Sequence, residues 1–247
     1  MLGLGNSLAS GFVGGVLPPP AYSVSFDGSG DYLSFTETTF DISDAGDDLT
    51  ISFWAKRDLD GTEDVVLSTA ATWFQKVYFN AAGTALVLKS DQNGQSVSIT
   101  VTADTNWHHY SVSSLGRPSG NEATVTAFED GGAVTVTQGN FGVSANKELT
   151  MNSMGSPSGG GITGFDGLLY QVAIFTEIVD AANVTAMYNG GDPINIVADQ
   201  GNYTQSGDLA ALWQFNEGTG TSTADSIGDL TCTFNGDAAW SSTTPSS

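Results

Sequence analysis

Leu49-Thr50-Ile51-Ser52-Phe53-Trp54-Ala55-Lys56 is the stretch whose reading decides the fold. Leu49, Ile51, Phe53 and Ala55 fall on one side of its alternation, and Thr50, Ser52, Trp54 and Lys56 on the other. Period two over eight residues, with β-branched and aromatic members, is the pattern of a half-buried strand. One face packs on a core, and the other carries an aromatic ring and a cation. Acid-rich loops bound it, residues 41–48 before and Asp58-Leu59-Asp60-Gly61 after. Trp54 has two readings: a ring packed beneath a loop, or a platform on an open sheet face.

Working outward, the same alternation recurs. Tyr22-Ser23-Val24-Ser25-Phe26 runs into the turn cluster Asp27-Gly28-Ser29-Gly30, and Asp31-Tyr32-Leu33-Ser34-Phe35 resumes it. Further strands are expected at 65–67, 73–80, 85–89, 96–102 and 107–113. Asn93-Gly94 supplies the positive φ angles of a primed hairpin turn. Glu129-Asp130-Gly131-Gly132 makes a second tight turn between 123–128 and 133–137. Another strand is read at 165–175, and the last at 209–215 and 230–240. Only 180–188 reads as helix: Asp180 caps it, the alanines favour it, and Asn189-Gly190-Gly191 ends it. About a dozen short strands with one small helix make a two-sheet β-sandwich.

The 247-residue chain has room for one large β domain or two small ones, and one domain behind an arm is the simplest account. Asp and Glu number 27 against 6 Lys and Arg, a net charge of −21. Nucleic acid is repelled by such a surface, because backbone binding needs Lys and Arg to neutralise phosphates. An anionic membrane is disfavoured for the same reason, and no apolar run approaches the roughly 18–20 residues of a membrane span. The single Cys232 excludes an intrachain disulfide.

The first 21 residues differ from the rest. Leu2, Leu4, Leu8, Phe12 and Val13 are apolar, the intervening glycines weaken any helix, and Pro18-Pro19-Pro20 makes a stiff connection into the body. The stretch has no Lys or Arg, so it is not read as a secretory signal. An apolar arm that cannot bury its own side chains is expected to dock on a partner.

Several pieces, in their order, resemble the laminin-G-like branch of the concanavalin A-like jelly rolls. Ser25-Phe26-Asp27-Gly28-Ser29-Gly30-Asp31-Tyr32-Leu33 is similar to that family's opening strand and turn, residues 49–56 to its central strand, and Trp107-His108-His109-Tyr110-Ser111-Val112 to its Trp-His-His strand. Phe128-Glu129-Asp130-Gly131 resembles its hairpin, and residues 165–175 with Met187-Tyr188-Asn189 its closing strand and helix. Tyr170-Gln171 stands where many relatives carry an Asp-Glu pair. Leu212-Trp213-Gln214-Phe215-Asn216-Glu217-Gly218, usual at the start of such domains, comes last here. That permuted order behind a short arm resembles structural proteins of marine bacteriophage particles.

Candidate chemistry is sparse. Retaining glucanases on this fold project two carboxylates from alternate positions of one strand; the chain has no Glu-x-Asp-x-Glu, and Asp58 with Asp60 falls in a turn. His108 and His109 are adjacent, so a regular strand sends them to opposite faces, away from any shared metal or triad. Each is read as a hydrogen-bonding residue at the core edge. Calcium would find oxygen ligands in three Asp-rich loops: Asp41, Asp44, Asp47 and Asp48; Asp27 and Asp31; Asp225 and Asp229. None has the EF-hand spacing of Asp, Gly and a final Glu, so no metal ligand is assigned, and a structural calcium is the one cofactor left open. Sugar stacking would use Trp54, Trp73 and Tyr78. Trp107, Trp213 and Trp240 sit at strand ends and are read as packing residues.

The expected fold is therefore all-β: an antiparallel two-sheet jelly-roll sandwich with one short helix and an extended N-terminal arm. Residues 1–21 form the docking arm and 22–247 the jelly roll, with strands in 209–240 completing it. The expected function is non-enzymatic: a structural or decorating component of a phage virion, docked to capsid or tail proteins or to itself. The alternative is a carbohydrate-binding adhesion module whose partner is a polysaccharide. A glycoside hydrolase is the third reading.

Overall fold

The computed structural model describes residues 18–41, 47–69, 75–89, 96–115, 124–139, 148–156 and 164–246. The arm residues Leu2, Leu4, Leu8, Phe12 and Val13, and the candidate stacking residue Trp73, lie outside them.

In chain order the strands are β1 (Ser23–Asp27), β2 (Tyr32–Asp41), β3 (Leu49–Arg57), β4 (Asp64–Ser68), β5 (Lys76–Phe79), β6 (Ala85–Lys89), β7 (Ser96–Thr100), β8 (Trp107–Leu115) and β9 (Thr124–Glu129). There follow β10 (Gly132–Ala133), β11 (Val136–Thr137), β12 (Glu148–Met154), β13 (Asp166–Phe175), the helix α1 (Ala181–Tyr188), β14 (Leu209–Trp213), β15 (Ser222–Thr223), β16 (Cys232–Asn235) and β17 (Ala239–Ser241). They form two antiparallel sheets. The first has the order β10-β9-β8-β3-β13-β1-β17, with β14 also paired to β13. The second runs β11-β7-β6-β5-β4-β12-β2-β16-β15. The fold is a jelly-roll sandwich.

The alternation of β3 fixes its two faces. Leu49, Ile51, Phe53 and Ala55 join the main core, where Phe53, Phe79 and Tyr110 pack ring on ring at 5.1–6.2 Å. Each fully buried Leu, Ile or Phe there stabilises the fold by roughly 1.5–3 kcal/mol relative to exposure.

The outer face of the first sheet is more than a solvated surface. Residues beyond β13 fold back over part of it and build a second core from Ala173, Phe175, Val184, Met187, Tyr203 and Leu212. α1 carries Val184 and Met187 into this layer. Its N-cap is Asp180, whose carboxylate accepts from the Asn183 amide at 2.8 Å, and Asn189 ends it at φ 46°. Both caps act as the sequence implied.

β13 is the longest partner in the first sheet and carries its main irregularity. β1 pairs with residues 166–169, β14 with 172–175, and the register against β3 shifts between Tyr170 and Ala173. Gln171 sits in that bulge at φ 47°, buried, with its amide donating to the Ile194 carbonyl at 2.9 Å. Tyr170 and Gln171 thus have packing roles: the Tyr170 hydroxyl donates to the Pro20 carbonyl at 3.0 Å.

The C-terminal strands enter both sheets: β14 and β17 pair with β13 and β1, and β16 with β2. Trp213 is fully buried, and its indole donates to the Leu230 carbonyl at 2.6 Å.

Candidate functional site

Cross-strand register lays three rows of residues across the outer face of the first sheet. The innermost contains His109, Trp54 and Tyr170, neighbours on β8, β3 and β13. All three are buried, Trp54 at 1% exposure. Tyr188 of α1 stacks on Trp54 at 5.7 Å and 27°, and His109 lies 5.1 Å away on its other neighbour strand. Trp54 is therefore not an open platform. Its ring is the floor of the second packed layer, because residues 176–208 cover it.

Of the other two stacking candidates, Trp73 lies outside the described residues, and Tyr78 shares no face with Trp54. Tyr78 is on β5, in the opposite sheet, and Lys76 Nζ sits 3.8 Å above its ring. Burial and the nearby Glu63 push its hydroxyl pKa up. The ring face that a sugar would use is occupied by a cation.

Two residues further along each strand, on the same face, the cover ends. The middle row is Trp107, Lys56, Leu168, Ser25 and Ala239, consecutive partners on β8, β3, β13, β1 and β17. The first four are partly exposed and Ala239 is exposed. A groove of about 290 Å³ opens on it, lined by Ser25, Phe26, Lys56, Asp58, Gly167 and Leu168. Its inner wall is the covered row: Trp107 meets Tyr170 edge-on at 6.2 Å, and buried Ser23 donates to the Thr243 carbonyl at 2.7 Å. The groove is thus a shelf against the packed layer.

The outer rim is acidic. Asp27 and Asp166 are register partners, and the Asp58 amide donates to the Asp166 carbonyl at 3.0 Å. Burial raises the Asp166 carboxyl pKa above the usual carboxylate range, and Asp58, Asp60 and Asp27 add to the rise. Beneath the rim, buried Asp64 accepts from the Asp166 amide at 3.1 Å. Burial is the chief cause that lifts Asp64 to about 7; that hydrogen bond and Arg57 oppose it, while Asp60 and Asp166 add to it. Arg57 is itself buried, donating to the Gly83 and Thr102 carbonyls at 3.2 and 2.8 Å with its guanidinium 3.9 Å over Phe79.

Gly167, in the groove floor, has φ 135°, and a Cβ there would lie 2.1 Å from the Lys56 carbonyl oxygen. Only glycine lets β13 approach β3 this closely.

The remaining candidates have structural duties. His108 donates through Nδ1 to Asp130 at 2.7 Å and Nε2 to Asp104 at 3.0 Å in its charged form, and these partners raise it to about 9, the Asp130 hydrogen bond first, against the opposing effect of burial. His109 faces the other way, bonded through Nε2 to Ser52 Oγ at 2.8 Å, and burial lowers it to about 4. That serine–histidine contact is sealed: both residues are 2% exposed. It has no route for a substrate. Asp31 accepts from the Asp27 and Asp237 amides, and Asp225 from those of Leu212 and Ile227. These two aspartates organise turns. Among the described residues no group of three His, Cys, Asp or Glu side chains is placed to hold a metal ion.

With this geometry in hand, the family is defined. Residues 27–185, more than half of the chain, match the family model of the concanavalin A-like lectin/glucanases superfamily, in its laminin-G form. The protein belongs to that family. No curated protein matches the sequence. Among solved structures, a candidate carbohydrate-binding protein from Bacteroides ovatus is similar with a TM-score of 0.61 at 13% identity, over 90% of this chain. This chain spans 60% of the length of that protein. The heptameric SAP-like pentraxin from Limulus polyphemus is similar with a TM-score of 0.52 at 17% identity, over 86% of this chain and 95% of its own. Likeness at these identities speaks for the fold.

Proposed function

We propose that this protein is a non-enzymatic carbohydrate-binding jelly roll whose glycan seat is the groove between Lys56, Leu168 and the Asp58–Asp166 rim. One observation carries the reading. Among the described residues, the covered outer face of the first sheet gives way to an uncovered row that combines an aliphatic floor, a primary amine and carboxylates around one groove. Sugars want this mixture: apolar C–H faces meet Leu168, hydroxyls donate to carboxylates, and an ammonium donates to ring or hydroxyl oxygens. Lys56 is free to do so, since it takes part in none of the ion pairs among the described residues. The similarity to a candidate carbohydrate-binding protein agrees with it.

The virion setting is a second proposal, about where the module is displayed. It rests on the composition of residues 1–17 and on the resemblance to phage structural proteins; nothing in the groove bears on it. The first proposal is tested by a glycan array probed with the full-length protein. Binding to at least one class of polysaccharide, competed by the free glycan, is the expected result. Silence across neutral and charged glycans alike would end the reading.

A further inference from the structure

We infer that the groove, together with the uncovered row of residues it opens on, takes the interior of an extended, uncharged polysaccharide chain, about four sugar units long, lying across the strands; this rests on the reading of the groove as a glycan seat. The direction follows from the register. Trp107, Lys56, Leu168, Ser25 and Ala239 lie in one line over five adjacent strands. Neighbouring strands are about 4.8 Å apart, so the line spans about 19 Å, the length of roughly four pyranose units in an extended chain. A pocket for a single terminal sugar would be closed on several sides. This one is closed on one side only.

The shape of the row supports a chain. Side chains shrink along it, from Trp107 and Lys56 through Leu168 to Ser25 and Ala239, so nothing stops a chain leaving over β17. β17 pairs with β1 and ends the order of the first sheet, so that end of the groove has no further strand beyond it. Trp107 stands at the opposite end of the row, held edge-on against Tyr170. The acidic rim runs parallel to the row, through Asp58 and Asp166 to Asp27. Units of a neutral chain lying over β3, β13 and β1 find acceptors there. A polyuronate or sulfated chain meets like charge there and in the net −21 of the molecule.

The test uses full-length protein and an array of β-1,4-glucan, β-1,3-glucan, mannan, galactan, alginate and a sulfated galactan. Oligosaccharides of one to six units of the polymer that binds are then titrated by calorimetry. Affinity is expected to rise by roughly fivefold per unit, the worth of about one net hydrogen bond, and to level off at four units. Ala239→Gln, on the exposed edge strand, is expected to erase the gain from the third to the fourth unit and leave the disaccharide unchanged. Equal affinity for the monosaccharide and the tetramer would overturn the chain reading while leaving a glycan seat. Preference for alginate or the sulfated galactan would overturn the charge argument. Binding to no polymer would instead remove the underlying proposal.

Discussion

Replacing Trp54 with alanine separates a packed ring from a binding platform. Trp54 is 1% exposed, stacked on Tyr188 and flanked by His109 and Tyr170, so its removal opens a hole between the first sheet and α1. Truncating a buried Trp to Ala costs about 3–5 kcal/mol, against a total stability of about 5–15 kcal/mol for a domain. For a chain of this size each kcal/mol moves the melting temperature by about 2–4 °C, so Trp54→Ala should lower it by about 6–20 °C. Differential scanning calorimetry measures the shift, and near-ultraviolet circular dichroism reports loss of the Trp54–Tyr188 stack. Glycan binding measured well below the lowered transition should persist, weakened only as far as the groove wall slackens. An unchanged melting temperature together with abolished binding would refute the burial argument and restore Trp54 as a platform.

Three further outcomes are expected. His108 has a folded pKa of about 9 against an ordinary 6.5, so its stabilising contribution is complete below 6.5 and lost as pH rises through 9. Urea midpoints should therefore fall between pH 7 and 10, and His108→Gln should flatten that decline. Asp64 has the same sign in a lower window: an acid raised from 3.8 to about 7, it is least costly when neutral below pH 4, and that benefit is gone once pH passes 7. Asp64→Asn keeps an acceptor for the Asp166 amide and should make stability less dependent on pH between 4 and 8; an unaltered pH profile would contradict the burial of that carboxyl. No reducing ends should be released from any bound polysaccharide, and release that disappears in Asp166→Asn would show that the rim is catalytic.

The alternation of residues 49–56 made both the strand and its faces legible, and the caps Asp180 and Asn189 made the helix legible, because these features are local. The period also placed His108 and His109 on opposite faces, where they are found. What the chain did not disclose was which part of the outer face stays open. That depends on where residues 176–208 lie once folded, a contact made across more than a hundred positions from Trp54. Of the two readings of Trp54, the packed one holds, with the ring sealed under Tyr188; Trp107, read as a packing residue, packs edge-on against Tyr170 while staying partly exposed in the open row. A usable hint was present in Lys56, the cation on the same face as Trp54 and one step nearer the acidic loop. Gly167 gave another, since a glycine inside an otherwise regular strand signals a close backbone approach. The bulge at Gln171 had only a polar residue in an apolar run to announce it.

The central claim is that the groove at Lys56 and Leu168 is where a glycan sits. Lys56→Ala and Leu168→Ser are made in the full-length protein and titrated, beside wild type, against one polysaccharide that the wild type binds. Lys56 carries no ion pair among the described residues, and both side chains are partly exposed, so each melting temperature should stay within about 3 °C of wild type. Each substitution should weaken binding by about tenfold, the worth of roughly 1.4 kcal/mol. If both folded variants bind as wild type does, the glycan seat is elsewhere and the account of the groove is wrong.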